Sequence, residues 1–180
     1  QAGKDVYVEK PLSVSIGEGR VMVDVARKHD RVVQMGTQQR SAPHYTEAVD
    51  YVKSGKLGRV RLVRAWAYLD WKGETPHQPD GPAPAGVDYD MWLGPARKQP
   101  FNPNRFHFTF RWYWDYSGGI ATDLFYHRLS PMMIAIGQPE FPMRVMAGGG
   151  IYSPVDGDIR DVPDTYFTSV EFPGKYAILI

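Results

Sequence analysis

The stretch from Asp5 to Thr37 constrains the fold more than any other. Asp5-Val-Tyr-Val-Glu9-Lys10-Pro11 reads as a short β-strand stopped by a charged pair and a proline. Ser15 and Glu18 stand at capping-box spacing, so a helix is expected from there to about His29, with Gly17 and Gly19 weakening its first turn. Val32 to Thr37 is a second apolar strand. A helix joining two strands carries the chain back to the same end of the sheet, so these strands are expected to be parallel. Open α/β sheets bind ligands just beyond the carboxyl ends of their strands. Those positions are Glu9, Lys10 and Pro11 after the first strand and Gln38, Gln39 and Arg40 after the second.

The remainder reads as a different kind of layer. Ser41 and Pro43 open a helix with Tyr45, Ala48, Val49 and Val52 on one face and Gly55 as its C′ residue. Arg59 to about Asp70 is extended and is expected to start a second sheet. Residues 72–104 hold seven of the fifteen prolines, yet Trp92, Leu93 and Phe101 predict an ordered loop packed on the domain. Phe106, Phe108, Phe110, Trp112, Trp114 and Tyr116 alternate with polar or smaller residues, which predicts an extended segment. A helix follows over Ser117 to Gly137. Residues 142–152, 164–172 and 175–180 then read as antiparallel strands, with turn signals at Pro154, Gly157 and Pro173-Gly174. The fold class is α/β at the start and α+β in the second part.

Composition removes several functions. A net charge of +1 makes no case for nucleic acid or a membrane surface. No apolar run approaches the roughly 18 residues that span a bilayer. The absence of cysteine excludes disulfides, thiolate metal sites and cysteine nucleophiles. The chain opens at Gln1 without a methionine and stops at Ile180 within a strand-like run, which reads as an internal piece of a longer protein. A cytoplasmic location is expected, with a periplasmic one open because the true start is not in view.

The chemistry concentrates on Ser117–Gly137. Ala121, Phe125, Leu129, Met132 and Ile136 recur at helical spacing as a buried stripe, placing Asp123 and His127 one turn apart on the opposite side. An aspartate there can hold an imidazole in one tautomer and raise its basicity. An ordinary Asp–His pair on a solvated face is the alternative. Pro131 lacks the N–H that would bond the His127 carbonyl, so a kink or restart is expected at Ser130–Pro131. Lys10 at a sheet edge can hydrogen-bond a ligand hydroxyl, or be merely solvated. Gln38 and Arg40 suit polyhydroxy or phosphate ligands, with a polar loop as the alternative. Arg111, His107 and Trp114 lie in the aromatic run, where rings can pack on sugar C–H surfaces or simply build core.

Two glycine patterns carry no phosphate site. Gly17-x-Gly19 has Met22 at the third glycine position and lies in a helix, and Gly148-Gly149-Gly150 fits a bulge or turn. A metal site has only slight support, one Asp–His pair at i,i+4 with His107 at unknown distance and no third ligand by spacing, and none is assigned.

Taken in order, Glu9-Lys10-Pro11, Gly36-Thr-Gln-Gln-Arg40, Ser54-Gly55-Lys56-Leu57-Gly58, Gly118-Gly119 and Asp123-x-x-x-His127 resemble the Gfo/Idh/MocA oxidoreductases across nearly the whole chain. The resemblance implies that residues 1–40 end an NAD(P)-binding Rossmann domain. Residues 41–180 would then begin a C-terminal domain with an open, mostly antiparallel sheet packed with helices. It implies NAD or NADP as cofactor, a sugar or cyclitol substrate, and assembly as a dimer or tetramer. Lys10, Asp123 and His127 would be catalytic, Glu9, Lys10, Pro11 and Gln38 would line the nicotinamide, and Arg40, Arg111 and Trp114 would meet substrate. The sequence departs from the family pattern at Phe125, where glycine is frequent, and at Ser130, where aspartate is frequent. A non-catalytic sugar- or dinucleotide-binding relative, and hydrolysis or elimination through transient oxidation, stay open.

Overall fold

A computed structural model describes residues 2–68, 76–137 and 141–180. The first unit is the expected βαβ. Strands β1 (Val6–Glu9) and β2 (Val33–Gly36) pair in parallel, joined by helix α1 (Ile16–Lys28). The Ser15 hydroxyl accepts from the Glu18 amide and the Glu18 carboxylate accepts from the Ser15 amide, so both halves of the capping box form. A 3-10 turn over Gln38–Ser41 leads into α2 (Pro43–Lys53), with Pro43 at its start and Gly55 beyond its end at φ +77°.

The second sheet has four strands in the order β3-β6-β5-β4: β3 (Leu62–Arg64), β4 (Arg144–Gly150), β5 (Thr165–Phe172) and β6 (Tyr176–Leu179). The pairs β4–β5 and β5–β6 are antiparallel, and β3 joins β6 in parallel. The expected α/β fold with an open, mostly antiparallel second sheet is what the molecule shows. The long strand predicted over 59–70 shortens to three residues, although Ala65 N–H still bonds the Leu179 carbonyl at 2.9 Å, and residues 69 and 70 lie outside the described set. Gly148–Gly150 prove to be the end of β4, not a bulge or turn. A Cβ at Gly149 would lie 2.3 Å from the Thr165 carbonyl oxygen, so these glycines let the paired backbones close.

The proline-rich stretch is ordered over its described part, 76–104; residues 72–75 lie outside the described set. Helix α3 (Tyr89–Leu93) buries Leu93, and Gly81 bridges to Phe101. Two buried asparagines fasten the loop: Asn102 donates to Gln78 O and Asp80 Oδ1, and Asn104 donates to Pro76 O. Rings of Tyr89, Trp92, Phe101, Phe106 and Tyr116 interlock edge-on around it.

Two expectations change here. The alternating aromatic run is not a strand: it forms 3-10 turns at Pro103–Arg105 and Thr109–Trp112. Phe106 and Tyr116 go into local ring packing and Trp112 into the core, while Phe108 and Trp114 stay half exposed, and among the described residues no named strand pairs with the run. The helix over 117–137 is two pieces, α4 (Gly119–Asp123) and α5 (Phe125–Ile136), broken at Leu124 and continuous through Pro131. Leu124 and Phe125 are adjacent, yet both are buried in one core cluster with Ala65, Trp112, Tyr113 and Ile120. A regular helix turns about 100° between neighbours, so placing both inward favours a break at that point. The predicted buried stripe holds at Phe125 and partly at Leu129, Met132 and Ile136, but Ala121 is exposed. No helix among the described residues is long and apolar enough to cross a membrane.

Candidate active site

The carboxyl end of β1 and the end of α4 meet. Lys10 follows β1 directly, and its Nζ donates to Asp123 Oδ1. The other carboxylate oxygen, Oδ2, accepts from Arg111 Nε at 2.6 Å. Asp123 is fully buried, while Lys10 and Arg111 each keep a little exposure, 17% and 14% of their side chains. An isolated buried carboxylate is strongly disfavoured, and the two cations compensate Asp123 there. Arg111 is itself fixed: Nη1 donates to Phe108 O at 2.6 Å, and its guanidinium carbon lies 4.4 and 4.7 Å from the ring centres of Phe108 and Phe110.

His127, in the first turn of α5, is 3% exposed. Its Nδ1 is buried with no hydrogen-bond partner. Asp123 therefore does not hold His127, contrary to the sequence expectation. Two charged donors claim the carboxylate with charge-assisted bonds. Burial, and after it the Lys10 ammonium, push the His127 imidazole below its ordinary value, with Asp123 opposing. The lowered value favours the neutral ring, the state in which it can accept a proton.

Beside this cluster lies a cavity of about 1060 Å³. Lys10, Pro11 and Arg40 line it from the first unit, Tyr126 and Ser130 from α5, and Val170, Phe172 and Ile178 from the second sheet. The Ser130 hydroxyl is buried there without a partner. The remaining predicted residues distribute around this centre. Glu9 is exposed at the end of β1 with its carboxylate against Gly36, where a Cβ would stand 2.8 Å from Glu9 Oε1. Gln38 is exposed on the 3-10 turn. Trp114 is half exposed, and its backbone N–H bonds Asp161 Oδ1 at 2.8 Å. His127, Asp123, Arg111 and Trp114 do not line the cavity; Lys10 connects it to the buried cluster.

The buried network around Arg160 was not legible beforehand. Arg160, wholly buried, bonds both oxygens of Asp158 through Nε at 2.9 and 2.7 Å and the Ser153 carbonyl through Nη2 at 3.1 Å. It also lies 3.6 Å from Asp164. The sequence shows there a charge-dense run, Asp156 to Asp164, of which only the turn signals at Pro154 and Gly157 were used.

This architecture is that of solved dehydrogenase structures. It aligns with an oxidoreductase domain protein from Kribbella flavida at a TM-score of 0.69 and 22% identity, over 98% of this chain and 41% of that one. An inositol dehydrogenase homolog from Azotobacter vinelandii, solved with NADH and myo-inositol, aligns at a TM-score of 0.62 and 19% identity, over 98% of this chain and 37% of that one. In sequence, 79 residues are 29% identical to the levoglucosan dehydrogenase of Pseudarthrobacter phenanthrenivorans, covering 44% of this chain and 20% of that protein. Residues 42–151 match the C-terminal alpha/beta domain of the Gfo/Idh/MocA oxidoreductase family, and the chain belongs to that family. It spans less than half the length of these relatives.

Proposed function

We propose that this chain is part of an NAD(P)-dependent oxidoreductase that moves a hydride between a nicotinamide cofactor and the hydroxyl-bearing carbon of a sugar or cyclitol. The observation that carries the reading is the meeting of Lys10, from the carboxyl edge of a parallel sheet, with buried Asp123, beside a His127 whose lowered value favours the neutral ring. Residues 1–40 are taken as the end of the dinucleotide-binding domain and 41–180 as part of the substrate and oligomerisation domain, which the family match beginning at residue 42 supports.

The residues suit the cofactor's reactive end. Lys10 uses one of its three N–H donors on Asp123, leaving two to offer toward the cavity that it lines. Glu9, Lys10, Pro11 and Gln38 would border the nicotinamide side. A bound nicotinamide supplies the acceptor for the hydride. Lys10 donates a hydrogen bond to the reacting hydroxyl oxygen and steadies the charge that grows there as the proton departs. His127, next in the chain to the cavity-lining Tyr126 but not itself on the cavity wall, is assigned as the acceptor of that proton, and its lowered value favours the neutral form that the role needs. Asp123 holds the Lys10 ammonium and keeps it from swinging away. Arg40, on the same cavity as Lys10, and the half-exposed Trp114 are assigned to the substrate side. Assembly as a dimer or tetramer through the second sheet is supported by the exposed side chains of Met146 and Phe167, which share one face of β4 and β5.

The test uses the intact protein with NAD and NADP against a panel of sugars and cyclitols, read by nicotinamide absorbance. His127→Ala and Lys10→Ala are each expected to lower kcat by about 100-fold or more while cofactor affinity, from fluorescence titration, changes little. Wild-type turnover in both variants would overturn the role assignment. Product formed without net NADH would redirect the reading to hydrolysis or elimination through transient oxidation. Cofactor binding without any turnover would redirect it to a sensing relative.

A further inference from the structure

The site holds one carboxylate and two cations, and the second cation needs a reason. Lys10 alone would neutralise Asp123. In that arrangement both carboxylate oxygens, with about four lone-pair positions, would be available to one ammonium. The structure divides them: Oδ1 goes to Lys10 and Oδ2 to Arg111. Arg111 is not a loose surface chain that happens to reach the site. Its Nη1 is bonded to the Phe108 carbonyl, two aromatic rings flank its guanidinium, and the 3-10 turn Thr109–Trp112 fixes its backbone. That turn is anchored in turn, because Trp112 is core and its carbonyl accepts from the Asp161 and Val162 amides at 3.2 Å.

We propose that Arg111 is a positioning residue for Lys10, acting through Asp123 and not through substrate. By occupying Oδ2 it limits Lys10 to a single hydrogen bond with Oδ1. The ammonium then stays at the rim of the cavity, with its other N–H groups free and its charge only partly compensated. The same guanidinium keeps the carboxylate oriented, since a buried carboxylate held from one side alone can rotate toward its remaining partner. This inference deepens the hydride-transfer reading and rests on it for its catalytic meaning, while the geometry it asserts concerns Lys10 alone.

The experiment measures Lys10 directly in the intact protein. Acetic anhydride labelling at pH 8 is followed by peptide mass spectrometry for wild type, Arg111→Gln, Arg111→Lys and Asp123→Asn, with exposed Lys4 and Lys28 as internal references. With Arg111→Gln the carboxylate is no longer shared and holds the ammonium harder. Lys10 labelling is expected to slow at least threefold relative to the references. Arg111→Lys, which keeps a cation but not the bond to Phe108 O, is expected to recover part of the wild-type rate. Adding Arg111→Gln to Asp123→Asn is expected to change labelling by less than twofold, because the intermediary is already gone. An unchanged Lys10 rate in both Arg111 variants, or an equal effect with and without the Asp123 carboxylate, overturns the proposal. If Arg111→Gln does not fold, the Arg111→Lys rate and its dependence on Asp123 decide the question alone. On any substrate turned over, Arg111→Gln should lower kcat about tenfold with KM within twofold; a raised KM at unchanged kcat would instead make Arg111 a substrate ligand. Full activity of Lys10→Ala would sink the hydride-transfer reading and leave the labelling result standing, so the two failures are distinguishable.

Discussion

Replacing Arg160 with methionine should be the most damaging single change outside the candidate site. The guanidinium is wholly buried, and Asp158 and Asp164 beside it are 8% and 6% exposed in their side chains. Burial by itself would push the Asp158 carboxyl up, but the Arg160 hydrogen bonds and charge hold it below its ordinary value. Asp164, also opposed by burial, is held low by the Tyr152 and Ser153 amides, the Thr165 hydroxyl and Arg160. Methionine fills similar space but leaves Asp158 a nearly buried charge with only backbone donors. Removing one partner of a buried pair costs about 3–5 kcal/mol. With a urea dependence of about 2 kcal/mol per M for a domain of this size, the unfolding midpoint should fall by about 1.5–2.5 M. The damage should reach the candidate site as well. Arg160 braces the segment whose Asp161 and Val162 amides hold the Trp112 carbonyl and whose Val162 packs on Gly119, at the head of the helix bearing Asp123.

The pH dependence gives a second, independent check. In the wild type both carboxyls titrate lower in the folded state than in the unfolded chain, so their stabilisation is present above about pH 4 and lost as pH falls through the folded values. In Arg160→Met, burial acts on Asp158 without its counter-charge, so protonation relieves the variant. Urea melts at pH 7 and pH 4 should therefore show the deficit narrowing in acid. A midpoint change under about 0.5 M at pH 7, or a deficit that widens at pH 4, would refute the reasoning.

Gly119→Ala should destabilise by about 2–4 kcal/mol, since φ is +69° and the new Cβ would lie 2.6 Å from Val162 Cγ1. Val162→Ala in the same chain should recover only the steric part, which thermal melts of the three variants can separate, and a melting point within 1 °C of wild type for Gly119→Ala would contradict the geometry. His127 titrates below its ordinary value because of burial and then the Lys10 charge, so the unfolded chain binds its proton first on acidification. Its contribution is fully present above about pH 6.5 and is lost as pH falls below that. His127→Gln should flatten the stability profile between pH 6.5 and 5, and an unchanged slope in urea melts across that range would contradict the assignment.

Local chemistry made much of the scaffold legible. The capping box at Ser15 and Glu18, the stop at Pro11, the proline start of α2 and Gly55 beyond it act over a few residues, and each appears where it was read. The parallel pairing of β1 and β2 followed from the helix between them, because a crossover leaves the chain little other choice. The three closing strands showed themselves by apolar runs between turn residues. Lys10, Asp123 and His127 stood out in the sequence, and the fold brings Lys10 onto Asp123.

What the sequence could not supply was who partners whom across distance. Asp123 and His127 are four residues apart, and local spacing paired them. Lys10, 113 residues away, and Arg111 took the carboxylate instead, because two cations compensate a buried charge better than one neutral imidazole. The aromatic run carried a strand's period, but its rings found one another and the core before any strand edge found the backbone. Pro131 drew the expected helix break toward itself, while burial of adjacent Leu124 and Phe125 placed it earlier. Nothing local to the run Asp156 to Asp164 marks Arg160 for burial, and the fold buries it between Asp158 and Asp164. Propensity, capping and crossover handedness are short-range and survive in the sequence. Charge compensation and burial depend on residues that only folding brings together, and in this protein they decide the candidate site.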